Sequence, residues 1–467
     1  MEPEGGECPA TDGGASVTKD VQSLAKIFKT ESDAKYNIVD IQTPLNAFMS
    51  GQYKRSCAYH TIRNHLPVIL TKVIDSLTRD KNEVVAQFGE NAREELKIII
   101  GLISRLKYEL QTNKPFQHFT GDEVDRDMWN NFINHLSDEG RTFYRACWMH
   151  TECYMYRKLY SFVENSIFLK EFDYFAKVKE HSLTRCQDEI LALSKYTRRT
   201  ENSIEMFSEL LKLDLWSNRN DLSEDDEARM FNMKVLEDVM VTDDYILVKN
   251  VDEIWNCLLN KKTDRQQVDF VLDNAGYELF TDLILAEYII ENGMADKVRF
   301  HVKAHPWFGN AITARDFHWT LQFLRNHSDY IISLIGQKFL QFLKEGKFEL
   351  APTSHFWTAP QAFHSMRTIE SELYKTLQES KLIIFKGDLN YRKLLSDVCW
   401  EPTQHIITCL GGFIPSNLCI LRTVKSEVIC GLPPGVYEDL LKKDPQWMIT
   451  GNYGIIQFVD GSREFGY

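Results

Sequence analysis

The sequence predicts a doubly wound, mostly parallel α/β sheet joined to an all-helical N-terminal domain. Two features of its 467 residues carry this prediction. From about residue 204, short β-rich runs alternate with helical segments, as in a parallel sheet. From about 57 to 200, apolar residues recur at three- and four-residue spacing, which is the period of helices packed on one face.

Taken in order, "MEPEGGECPATDGGASVTKD" is rich in Gly, Glu, Asp and small residues and reads as disordered. Residues 21–55 add only a weakly patterned short helix and loop, so 1–55 is expected to be a mostly disordered tail. Residues 56–203 form the expected helical domain, through "TIRNHLPVILTKVIDSLTRD", "NAREELKIIIGLISRLKYELQT" and "RACWMHTECYMYRKLYSFVEN". The aromatic and Met stripe of the third reads as packed core. Residues 204–467 form the expected α/β domain, with "DYILVKN", "VDFVLD", "KVRFHVKA", "SKLIIFKGD" and "NLCILRTVK" as strands.

Composition narrows the function. A net charge of −13 argues against a nucleic-acid coat, which needs a basic surface, but leaves room for a local phosphate pocket. The 10 cysteines form no CxxC pair and no zinc spacing, so they read as reduced thiols of an intracellular protein, cytoplasmic or nuclear. No apolar run approaches the ~18 residues of a membrane span, so neither a membrane nor a nucleic acid is an expected partner.

Ligands of doubly wound sheets bind beyond the carboxyl ends of the strands, so chemistry is sought there. "VLDNAG" ends on Asp273 and Asn274, hard oxygen donors suited to a divalent cation, with Gly276 opening a helix. A polar turn with an Asx N-cap accounts for the same residues. "LIIFKGDLNYRKL" ends on Asp388, followed by Leu389, Asn390, Tyr391 and Arg392; a carboxylate beside an amide and a guanidinium can orient a sugar and a phosphate. A solvated Asp–Arg loop is the alternative. In "ILRTVKSEV", Arg422 and Lys425 flank Thr423 and could hold a phosphoryl group, or form a surface pair. In "LDLWSNRNDLS", Trp216, Asn218 and Asp221 wall a pocket or simply end a helix. GxGxxG, the Walker loop, HExxH and GxSxG are all absent from the sequence. Metal-assisted attack of water on a phosphate ester fits the donors that remain.

These stretches, with "CAYHTIRNHLPVILTKVID", "HPWFGN", "HFWTAP" and "GNYGIIQF", resemble the metal-dependent damage-control phosphatase family, and within it subfamily III, whose RTxK signature "RTVK" matches. The resemblance covers nearly everything except the N-terminal tail. It implies a Rossmann-like α/β domain and a divalent metal (manganese, cobalt or nickel) on Asp273 and Asn274. It further implies that these two residues, Asp388 to Arg392 and Lys425 bind substrate, a sugar phosphate such as fructose 1-phosphate or fructose 6-phosphate. A protein-glutamate O-methyltransferase activity described for relatives would place S-adenosylmethionine near Glu278.

One position departs from the family pattern. The family reads Pro-Trp-Phe-Val-Ser-Asp after the next strand, its aspartate being the third metal ligand. Here "HPWFGNAITARDF" puts Ala311 at that position. Alanine cannot coordinate a cation. Asn310 can replace it as a neutral donor, water and substrate phosphate can fill the gap, or the chain is a weakly active relative. Asp316 is the less favoured substitute, because the family carries it in addition to the ligand.

Overall fold

The seven strands of this computed structural model are β1 (Ile246–Lys249), β2 (Gln267–Val271), β3 (Lys297–His301), β4 (Phe348–Leu350), β5 (Leu382–Lys386), β6 (Asn417–Thr423) and β7 (Gly454–Val459). The structure describes residues 30–198, 202–220, 239–260 and 265–462. The strands form one sheet in the order β1-β7-β6-β5-β2-β3-β4, parallel throughout except for the antiparallel β6–β7 pair. β2 and β5 are buried along their whole length. Parallel strands covered on both faces read as near-continuous apolar runs, which explains why they stand out in the sequence. β4 and β7 do not stand out. β4 is a three-residue strand, and β7 begins on Gly454 and carries Gln457.

One face of the sheet packs on a helical layer containing α1 (Leu66–Arg79), α2 (Ala92–Gln111) and α3 (Trp148–Glu164). α1 buries Leu66, Leu70, Val73 and Leu77; α2 buries Leu96, Ile99, Ile103, Leu106 and Leu110. This helical core runs without a break into Val271, Ile383, Phe385 and Ile420 of the sheet. The opposite face is covered by α4 (Ile204–Ser217), α5 (Tyr277–Glu291), α6 (Ala314–Arg325) and α7 (Tyr330–Glu345). A final short helix, α8 (Gly387–Leu394), follows β5 directly.

Two expected boundaries shift. Helices Ala176–Arg185 and Gln187–Thr197 fall within the expected helical domain, yet their Leu183, Ile190 and Leu193 belong to the core on the other face of the sheet. Residues 30–55 are not a loose tail: Ile38 and Met49 are buried, and isolated bridges join Val39 to Tyr53, Phe48 to Val398 and Ser50 to Cys147. The rest of that tail lies outside the described residues. The described cysteines are all free thiols. No helix among the described residues is long and apolar enough to cross a membrane.

Candidate active site

The carboxyl ends of β2, β3, β5 and β6 meet in one buried cleft, and strand register decides which residues face one another there. Val271 pairs with His301 of β3 and Phe385 of β5. Beyond these pairs Ile312 wedges between the ends of β2 and β3. Its N–H donates to the Asp273 carbonyl, and its carbonyl accepts from the Lys303 N–H at 2.9 Å. The Lys303 side chain and Gly387 both lie near the Asp273 carboxylate. Gly387 has φ +81°, and a β-carbon there would stand 1.8 Å from Asp273 Oδ2. Glycine is therefore required on two counts, left-handed backbone and close approach.

The β2–α5 corner is clamped from outside by the segment around residue 311. Ile312 N donates to the Asp273 carbonyl at 3.0 Å and Ala275 N donates to the Asn310 carbonyl at 2.9 Å. Between them, Asn274 and Ala311 form an isolated antiparallel bridge.

Asn218, at the end of α4, ties the corner together. Its Nδ2 donates to Asp273 Oδ2 at 3.0 Å and to Glu278 Oε2 at 2.8 Å, and its Oδ1 accepts from Thr423 Oγ1 at 2.7 Å. Asn274 Nδ2 donates to the same two carboxylates, at 3.2 and 2.8 Å. Asn274 Oδ1 is buried with no hydrogen-bond donor. A buried, unsatisfied amide oxygen beside a carboxylate is a donor set a hard cation would satisfy. Among the described residues no group of three His, Cys, Asp or Glu is arranged to hold a metal ion.

The other residues singled out in the sequence lie on α8 and at the end of β6. Asp388 Oδ1 accepts from Arg422 Nε at 2.8 Å and Ser426 Oγ at 3.1 Å. The Arg422 guanidinium lies 4.1 Å from the centre of the Tyr391 ring. Asn390 Nδ2 donates to the carbonyls of Val271, Leu272 and Lys386, stitching α8 onto β2. Leu389 is half-buried against the main core. Lys425 Nζ donates to the Asn218 carbonyl. The first N–H groups of α8 have no intrahelical acceptors, as at any helix start.

One sequence expectation changes, and two alternatives fall away. Asp388 to Arg392 form a helix, so the solvated-loop alternative does not hold. The Arg392 side chain points away from any phosphate role: it is 1% exposed, donates to Asp397 at 2.7 and 3.1 Å and to Glu152 at 2.9 Å, and lies against the Trp148 ring. Asp316 cannot act as a substitute metal ligand, because it closes the capping box of α6 and pairs with Lys179. Trp216 is buried core, and Asp221 lies outside the described residues.

Two lysines went unnoticed in the sequence. Lys386 sits behind the site, with Asp214 at 2.6 Å, Asp282 at 2.9 Å and Glu278 at 3.7 Å. Burial works against its charge, but these three carboxylates outweigh burial and hold it protonated. Burial pushes the Asp282 carboxyl up. Lys303 is buried beside Asp273; burial lowers its pKa to about 8, with Asp273 and Glu278 opposing. Its only sequence signal is position, two residues past β3 as Asp273 is two past β2.

Comparison with known proteins identifies the family. The family model of the damage-control phosphatase ARMT1-like domain matches residues 61–440. The chain belongs to the ARMT1-like family. It is 38% identical over 434 residues to damage-control phosphatase ARMT1 of Homo sapiens, covering 88% of this chain and 98% of that protein. It is 37% identical over 440 residues to the protein of the same name from Danio rerio, covering 89% and 97%. A crystal structure of a DUF89 family protein from Pyrococcus horikoshii matches with a TM-score of 0.43 at 16% identity, over 83% of this chain and 96% of that one. In this ARMT1-like chain, the cleft at the strand ends is built from the motifs the sequence singles out, together with Asn218 and the two lysines.

Proposed function

We propose that this chain is a divalent-metal-dependent phosphatase acting on small phosphorylated sugars, fructose 1-phosphate and fructose 6-phosphate being the first candidates. One observation carries the reading: the Asp273–Asn274 oxygens lie beside a buried lysine, Lys303, at strand ends that also carry Asp388, Arg422 and Lys425. The relatives are named damage-control phosphatases, which points the same way.

The carboxylate of Asp273 and the amide oxygen of Asn274 would hold the metal. A divalent cation bound there supplies Lewis acidity toward a phosphoryl oxygen and lowers the pKa of a bound water. With alanine at 311, the remaining coordination falls to water and to the substrate. Asn218 keeps the Asp273 carboxylate in place, so metal and substrate meet a preformed corner. The α8 N-terminus and Lys425 offset charge that builds on the phosphoryl oxygens. Asp388 orients the sugar hydroxyls, while Asn390 holds α8 against β2.

The test is phosphate release from both esters by wild type and Asp273→Ala, across manganese, cobalt, nickel and chelator. Metal-dependent turnover that Asp273→Ala abolishes supports the reading; absence of turnover with every metal sinks it. S-adenosylmethionine binding at Glu278 has weaker support, since Glu278 Oε2 already accepts two amide N–H groups. Calorimetry with that cofactor checks it directly.

A further inference from the structure

The buried cations around this cleft are not equivalent. Arg422 is paired with Asp388, Lys386 with Asp214 and Asp282, and Arg392 with Glu152 and Asp397. Lys393 spends its three donors on the carbonyls of Phe356, Trp357 and Ala359. Lys303 does neither. It is 1% exposed, and among the described residues its ammonium makes one hydrogen bond, to the neutral Asn390 Oδ1 at 2.9 Å. No carboxylate oxygen among the described residues lies within 4.0 Å of its ammonium. The Trp307 and Trp357 rings face it with centres at 5.5 and 5.9 Å.

An ammonium carries three donors, and a buried cation is stable when paired or fully hydrogen-bonded. Two donors of Lys303 are unspent, next to Asp273 and against the helix that carries Asp388 and Asn390. We propose that Lys303 grips the phosphate of the substrate, whose oxygens would take up the two donors it leaves unspent. The proposal rests on the phosphatase reading for its substrate but not for its binding chemistry. The indoles enclose the ammonium without competing for its donors, so an uncharged sugar gains nothing there. Specificity for phosphorylated over free sugars follows.

The experiment is calorimetric titration of wild type and Lys303→Met with inorganic phosphate, in chelator and in manganese, alongside kcat and KM for fructose 1-phosphate. Wild type is expected to bind phosphate, and Lys303→Met to lose roughly tenfold or more of that affinity, as expected for a hydrogen bond to a charged group. Manganese binding should be retained. Lys303→Gln, which keeps a donor toward Asn390, is read the same way if the Met variant does not fold. Equal phosphate affinity in variant and wild type, or no phosphate binding by wild type under either condition, overturns the proposal. Phosphate binding through Lys303 without turnover of any ester would sink the phosphatase reading and leave this one standing.

Discussion

Ala311 stands directly opposite Asn274 in a backbone bridge, and the next residue, Ile312, donates its N–H to the Asp273 carbonyl at 3.0 Å. A side chain at 311 is therefore held against the candidate metal corner by main-chain bonds. Ala311→Asp should supply a third anionic oxygen and tighten manganese binding by tenfold or more, on the order of 1.4 kcal/mol. Because Ala311 is fully buried, the new carboxylate should lower the melting temperature in chelator and recover it in metal. Metal titration followed by calorimetry and by thermal melting checks both halves. Unchanged metal affinity would remove Ala311 from the site.

Gly387→Ala tests the closeness of β5 to Asp273. Any β-carbon at 387 must displace the Asp273 carboxylate, and the backbone there is left-handed. Metal binding and turnover should fall by about 100-fold or more, the scale of losing one well-placed charged group. The far-UV spectrum should be retained, because the change is confined to the turn into α8.

Arg392 is predicted to act as a strut. Removing it leaves Glu152 and Asp397 buried without their cation, which costs about 3–5 kcal/mol. Arg392→Met should show this loss in urea unfolding. Arg392→Lys should recover little of it, since one ammonium cannot reproduce three directed bonds to two carboxylates. A stable Arg392→Met with raised KM alone would return the residue to the substrate.

Stability should also fall with rising pH. Burial pushes Glu427 up to about 7 from 4.5, even though Cys57 donates to it from both backbone and thiol. The folded state thus holds this proton more tightly than the unfolded chain. The stabilisation is full below about pH 4.5 and is lost as the pH passes 7, a change on the order of 3 kcal/mol. Glu152, also raised to about 7 by burial, adds to the same slope. Urea midpoints from pH 5 to 8 should decline for wild type, and the decline should be shallower in Glu427→Gln.

How much of this was legible in the sequence depended on what each residue packs against. β5 and β6 were legible because strands buried on both faces show long apolar runs. β2 and β3 were legible because Val and Phe recur in them even where polar residues intervene. Asp273, Asn274 and Asp388 were legible because a charge ending such a run is conspicuous. Lys303 was not, because a lysine near an apolar strand is ordinary until the fold buries it beside Asp273. Arg392 misled for the opposite reason. In sequence it follows Asp388 by one helical turn, but Asp388 takes Arg422 from the neighbouring strand and Arg392 turns to α3. Asn218 was one of several polar residues at a helix end; only the folded α4 carries it to Asp273 and Thr423 at two strand ends and to Glu278 of α5.

The position of β7 has a consequence for biosynthesis. The last of the seven strands to leave the ribosome inserts between β1 and β6, so neither neighbour is complete until it arrives. β1 has no other partner in the sheet, and β6 carries Arg422 and leads to Lys425. A nascent chain stalled before residue 454 would present two unpaired strand edges, one of them at the candidate catalytic cleft. Late-acting chaperone contact, and intolerance of any tag or cut between 454 and 459, follow from this order of strand addition.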